Sequence, residues 1–319
     1  VKYLEYLGTE KYTSSDLERE MFKLGLSYSV YAAQERVYVS LSGLEESLEQ
    51  GLEIFEHILA DVQSDQKVYD NMVLDILKER EDNKLSKWSI QSGMRNYGKY
   101  GDSSPFKHMI SSENLKSMDI ENLVSKIREL TSFEHYVYYY GRKKINEVTS
   151  LLEKHHKVAE ELKPLIEPKE FTELDNEKNI VYFTDYDMVQ SEITMMSKIS
   201  SYNKELIPPA RIFNEYFGSG LSSIVFQEIR ESKALAYSAY SYFTSPWKLD
   251  KSHYVQAYLG TQVDKLGDAT DALLELMNNM PEVEKQFEGA KVAALKKIET
   301  SRTKRSSLFW SYLSAKEMG

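Results

Sequence analysis

The second half of this chain repeats landmarks of the first, and no single motif constrains the fold as much. Tyr6-Leu7-Gly8-Thr9, then Ser14-Ser15, answers Tyr216-Phe217-Gly218-Ser219, then Ser222-Ser223. After a helix of matching length, Leu26-Ser27-Tyr28-Ser29-Val30-Tyr31 answers Leu235-Ala236-Tyr237-Ser238-Ala239-Tyr240. The next strand ends in Gly43 in one copy and Gly260 in the other, and an amphipathic helix follows each. Landmarks in a fixed order are the mark of a duplicated unit. With 319 residues there is room for two domains of ordinary size. Pro164 and Pro168, among charged residues, place a linker at about 163–178, with domains over 1–165 and 179–319. The first copy lacks the strands that precede the helix in the second, so the expectation is a piece of something longer, starting inside a domain.

Hydrophobic spacing fills in the elements. Capping side chains at 13–16 open a helix carrying Leu17, Met21 and Leu24, and Gly25 ends it. The alternation over 27–33 and 36–42 predicts an antiparallel hairpin. Helices are expected over about 48–59, 67–97, 112–117, 119–131 and 145–161, with a strand at 134–140. Beyond the linker the pattern predicts strands near 180–185 and 190–199 and a helix opened by Pro208-Pro209. A second helix at 222–232, strands at 235–243 and 253–261, and helices at about 264–279 and 281–305 follow. This order gives an α+β class, two domains each with an antiparallel sheet covered by helices. Tyrosine outnumbers phenylalanine 23 to 12, and many tyrosines sit at period two. That spacing suits strands with one wet face, where the ring packs and the hydroxyl reaches water.

Composition then removes whole classes of function. Lys and Arg number 40 against 50 Asp and Glu, and the net charge of −10 argues against a nucleic-acid binder. No stretch approaches the ~18 apolar residues of a membrane span, and no signal-peptide pattern opens the chain. Without cysteine there are no disulfides, no thiol nucleophile and no Cys-ligated zinc. The expectation is a soluble protein of a bacterial periplasm or cytoplasm.

The chain shows no complete active site of its own. None of its 6 histidines falls in H-E-x-x-H or H-x-x-E-H, the spacings that set two imidazoles and a carboxylate on one helical face. His156 and Glu160 stand four apart on an expected helix, which with His155 gives a minor alternative of zinc recruitment; two ligands do not make a zinc site. No G-x-S-x-G occurs, so a serine nucleophile elbow is missing. Gly218-Ser219-Gly220 precedes a helix but lacks the Walker lysine and the full dinucleotide fingerprint. One pair stands out. Arg230 falls at the end of the 222–232 helix and Tyr237 lies seven residues on, at the start of a strand. Such a turn can bring a guanidinium and a phenol into one cleft, where Arg supplies fixed donors to a peptide carbonyl and Tyr a donor to an oxyanion. With Tyr28 aligned on Tyr237, Met21 stands where Arg230 stands, an internal comparison without the charge.

At 214–240, with its Phe217–Tyr240 core of FGSGLSSIVFQEIRESKALAYSAY, the chain resembles the C-terminal half of insulinase/pitrilysin-type zinc metallopeptidases. The opening Tyr6-Leu7-Gly8-Thr9-Glu10-Lys11-Tyr12 is similar to the segment after that family's zinc-binding H-x-x-E-H helix. The charged helix with Lys78-Glu79-Arg80-Glu81-Asp82-Asn83-Lys84 and the loop near Tyr97 are similar to the family's next region. The resemblance departs at a decisive place. Setting Gly8-Thr9 on the family's Gly-Thr puts Lys2 at the catalytic glutamate and Tyr3 at the second histidine, a cation where a base is needed and a poor zinc ligand. The resemblance therefore implies the zinc-less half of a clamshell peptidase, with no metal of its own and zinc in an N-terminal half on the same protein or a partner chain. It implies peptide substrate, bound and assisted at the transition state by Arg230 and Tyr237, and no hydrolysis by this part alone. The rival is a catalytically dead scaffold or partner subunit of a peptidase-like complex.

Overall fold

The computed structural model describes residues 1–318 apart from Gln34, Asn176 and Ser219. Along the chain the main elements are α1 (Ser14–Lys23), β1 (Leu26–Ala33), β2 (Arg36–Gly43), α2 (Leu48–Asp61), α3 (Gln66–Leu85) and α4 (Lys87–Tyr100). Then come α5 (Ser112–Lys116), α6 (Ile120–Arg128), α7 (Ile145–His155), β3 (Gln190–Ser201), α8 (Ile207–Phe213), β4 (Ser238–Thr244) and β5 (Ser252–Gln262). Helices α9 (Leu266–Asn278), α10 (Glu284–Thr300) and α11 (Leu308–Met318) complete the order. The chain gathers into two compact units, one of Val1–Ser86 with His108–Glu170, the other of Lys87–Lys107 with Phe171–Gly319. Both are α+β, with small antiparallel sheets and many helices.

In the first unit β1 and β2 pair antiparallel from Leu26 opposite Gly43 to Ala33 opposite Arg36. Period-two alternation sorts the hairpin. Leu26 and Val30 enter the core, while Ser27 meets Ser42 at 3.1 Å and Ser29 meets Ser40 at 2.8 Å on the wet face. Helix α1 starts on a capping box in which Thr13 and Asp16 satisfy each other's backbone N–H. Its Leu17 and Met21 pack with Leu4, Phe55, Ile58, Tyr69 and Val124 into one core.

The second unit has a three-stranded antiparallel sheet in the order β3-β5-β4. One face carries Ile193, Met195, Ala239, Ala257 and Leu259 into a core with Phe217, Ile229 and Leu273. The other face is polar and aromatic, and α4 contacts it. Tyr240 stacks on Tyr258 at 4.9 Å, and Lys87 Nζ lies 2.7 Å from Glu192 Oε1. Lys99 Nζ lies 2.8 Å from Glu173 Oε1, a carboxylate only 5% exposed.

Several expected elements differ. Residues 134–140 and 180–185 form no strand; near the first there is a single isolated bridge, Phe133 to Lys163. Both segments have strand-like side chains, but a strand needs a neighbour to take its backbone hydrogen bonds. The helix expected over 67–97 breaks at Ser86, whose backbone is extended. The two glycine landmarks also part company. Gly43 sits opposite the core-facing Leu26, whereas Gly260 sits opposite Ser238 on the α4 side of its sheet. Tyr28 pairs with Leu41, two residues before Gly43, whereas Tyr237 falls opposite Thr261, one after Gly260; an odd offset in register reverses the face, so Tyr28 on Tyr237 and Gly43 on Gly260 cannot both superpose.

Candidate functional site

The turn that carries Arg230 is set up by Gly220 and Ser223. Gly220 takes φ +100°, and the buried Ser223 hydroxyl donates to the Gly220 carbonyl at 2.9 Å while accepting from Phe226 N–H at 3.4 Å. Ile224, Val225 and Ile229 sink into the core, fixing which face of the following helix is outward. Over Phe226–Ser232 that helix widens to i+5 hydrogen bonding, a geometry rare in ordinary helices and frequent at functional sites. The chain leaves through Ala234 at φ +48°, and Leu235 N–H returns to Ile229 O at 3.0 Å. Tyr237 N–H then donates to Gly260 O at 3.0 Å, which locks the residue at the head of β4.

This path brings the two expected residues together. The Arg230 guanidinium carbon lies 5.5 Å from the Tyr237 ring centroid and 4.9 Å from that of Phe226. Both distances are within cation–π reach. Tyr237 is 74% exposed, and Glu231 lies within ion-pair distance of Arg230, with Nε to Oε1 at 3.7 Å. Among the described residues no side chain takes a hydrogen bond from the Tyr237 hydroxyl or from Arg230. The stack holds the fork in orientation and leaves its N–H edges available. Phe226 went unremarked in the sequence, although its i,i+4 spacing to Arg230 is the signal for such a contact. Met21 is not a like-for-like comparison, because it is a buried core residue at 2% exposure and could carry no charge there.

The residues at the register of the family's zinc helix do not fit a metal. Lys2 Nζ pairs with Glu79 Oε2 at 3.3 Å. The buried Tyr3 hydroxyl donates to Asp65 O and accepts from Asp65 N–H, both at 2.9 Å. Burial raises the Tyr3 phenol above its ordinary range, away from the phenolate a zinc ligand would have to be. His155 faces Glu49 at 3.4 Å and His156 faces Glu56 at 2.8 Å, and Glu160 is not among their partners. Among the described residues no group of three or more His, Asp or Glu could hold a metal. Of Gly218-Ser219-Gly220, Ser219 lies outside the described residues. A Cβ at Gly218 would meet Ser241 O at 2.2 Å, so that glycine serves a close helix–strand approach. Among the described residues no helix is long and apolar enough to cross a membrane.

Residues 1–97 match the family described as insulinase (peptidase family M16), and residues 134–292 match the peptidase M16 inactive domain. The zinc protease YmxG of Bacillus subtilis strain 168 is 29% identical over 102 residues, covering 30% of this chain and 24% of that protein. The chain therefore spans about a quarter of that relative. A protease from Helicobacter pylori has the same fold at a TM-score of 0.67 and 16% identity, over 99% of this chain and 78% of that one. A peptidase M16 inactive domain from Pseudomonas fluorescens gives 0.65 and 15%, over 94% and 73%. The ferredoxin protease FusC, solved with Arabidopsis ferredoxin, gives 0.71 and 12%, over 93% of this chain but 33% of FusC. Two matches to one peptidase family, over 1–97 and 134–292, establish that this chain belongs to the insulinase (M16) peptidase family.

Proposed function

We propose that this chain is the zinc-less half of an insulinase-type metalloendopeptidase. In this reading its two domains divide near 163–178. It binds peptide substrate and assists hydrolysis carried out by a zinc-bearing half, in the same protein or on a partner chain. The observation that carries the reading is the exposed Arg230–Tyr237 stack on a widened helical turn, in a chain whose own zinc-helix positions hold Lys2 and Tyr3. Arg230 offers a rigid fork to peptide carbonyl oxygen, and Tyr237 offers a hydroxyl to charge developing on the attacked carbonyl. Binding, orientation and hydrogen-bond donation are what its residues supply.

The test uses the assembled enzyme with its zinc-bearing half. Tyr237→Phe removes one donor and is expected to lower kcat by about 10²–10³-fold with little change in KM. Arg230→Ala is expected to lower kcat and raise KM, since it serves bound substrate and transition state alike. Neither side chain fills the core, so melting temperatures should hold. Wild-type kcat/KM in both variants would leave the chain as a scaffold, and a large fall in melting temperature would make the pair structural.

A further inference from the structure

The first unit contains a chain of polar contacts that no peptidase role uses. His135, just past the Phe133–Lys163 bridge, has Nδ1 at 2.6 Å from Phe133 O. Its Nε2 lies 2.9 Å from Nε2 of His156, the residue that closes α7. Nδ1 of His156 lies 2.8 Å from Glu56 Oε1 on α2. The two rings are near perpendicular at 86°, with centroids 5.1 Å apart. The difference between 5.1 and 2.9 Å is no more than two centre-to-vertex lengths of a five-membered ring, so the two Nε2 atoms face each other almost head-on.

Proton counting makes this arrangement informative. Three contacts span the chain: carbonyl to His135, His135 to His156, and His156 to carboxylate. Each needs one hydrogen between its two heavy atoms, because a carbonyl and a carboxylate only accept. Two neutral imidazoles bring two hydrogens. Whichever tautomers are chosen, a neutral chain leaves one pair of lone pairs in contact. A metal does not answer, since head-on nitrogens 2.9 Å apart leave no room for two metal–nitrogen bonds of about 2.0–2.1 Å in line.

We propose that His135, His156 and Glu56 form a proton-binding site that holds one proton beyond the neutral count, and that this proton fastens the 133–140 segment and the end of α7 to α2. The charged form has its counterion in Glu56. The hydrogen bond to Glu56 raises the His156 imidazole above its ordinary range, against the opposing effect of burial. Around it, Lys154 pairs with Glu49 and faces the charge of Glu53 on α2, His155 lies 3.4 Å from Glu49, and Lys163 pairs with Glu129. The sign follows. A folded-state value above the unfolded one gives stability that is complete below the ordinary histidine range and disappears as pH rises through the folded value.

Glu56→Gln tests this without dismantling the site. An amide N–H can donate to His156 Nδ1, which lets His156 donate to His135 and His135 to Phe133, so the neutral chain becomes complete. Urea unfolding of the full chain from pH 5.5 to 9 should show the wild type losing stability as the pH rises above about 6.5, the ordinary histidine value. Glu56→Gln should lose much less over the same range, the remaining histidines being common to both. Imidazole nitrogen NMR of the wild type at pH 6 should show one imidazolium shared by the pair, and none in Glu56→Gln. Equal pH dependence in the two proteins would overturn the proposal. So would two neutral rings at pH 6, or stabilisation of the wild type by stoichiometric zinc or nickel.

Discussion

At Glu45 a single carboxylate closes a turn. It accepts hydrogen bonds from the Tyr139 hydroxyl and from the backbone N–H groups of Arg142 and Lys143, the last at 3.0 Å, with Arg142 Nε at 3.3 Å. The Tyr139 hydrogen bond and then the Arg142 N–H hold its carboxyl down at about 2, where an ordinary glutamate sits at 4.5. A depressed folded-state value gives stability that is present above 4.5 and lost as pH falls towards 2. Glu45→Ala should therefore flatten the acid side of the first unit's unfolding curve across that window, measured by urea midpoints at successive pH values. An unchanged acid limb would remove the role. None of this was legible in the sequence, since Glu45 and Tyr139 stand 94 residues apart. Arg230 and Tyr237 were legible because seven residues of helix end and turn connect them.

Elements written by local rules came out as read. The Thr13–Asp16 capping box, the 27–33 and 36–42 hairpin and the Pro208-Pro209 helix start each depend on neighbours a few residues away. The 134–140 and 180–185 segments show the opposite case, for strand character is granted by a partner and not by side chains alone. Register was also beyond sequence reading, which set Gly43 and Gly260 as equivalents although they face opposite sides of their sheets. The hairpin itself offers a test. Gly43 holds φ +142°, and a Cβ there would sit 2.1 Å from Gly25 O and 2.8 Å from Leu26 Cα. Both neighbours are backbone, so Gly43→Ala should cost about 2–4 kcal/mol, combining an unfavourable φ with displaced main chain. Chemical denaturation checks it, and a cost under about 0.5 kcal/mol, the surface-substitution range, would show the hairpin end to be pliable.

The two units do not follow a single cut in the chain. Lys87–Lys107 belongs with the later unit, though the sequence patterning ran its residues 87–97 into a long helix of the earlier one. The polarity of α4 explains why it was missed: it has no buried residue, and it meets the sheet through the Lys87–Glu192 ion pair and through Lys99, whose ammonium lies 4.6 Å from the Tyr254 ring centroid. A fragment of 171–319 alone should therefore bare Tyr240, Tyr254 and Tyr258 and strip Glu173 and Glu192 of their lysine partners. It is expected to melt lower than the full chain's second unit and to regain stability when a peptide of 87–107 is added, by calorimetry. Equal melting temperatures with and without the peptide would show α4 to be dispensable.

The same assignment has a consequence for how the protein is made. A ribosome delivers α4 first and finishes β5, the central strand of the sheet it covers, 162 residues later, counting from Tyr100 to Gln262. At 5–20 residues per second that is a wait of about 10–30 s, far longer than a helix takes to form or a small domain to collapse. During that interval the nascent first unit can fold around a helix that is not its own, and Trp88, 65% exposed even in the finished protein, stays accessible to chaperones. Slow codons or pauses between 107 and 190 would lengthen the exposure and lower the yield of native protein, while leaving its final stability unchanged.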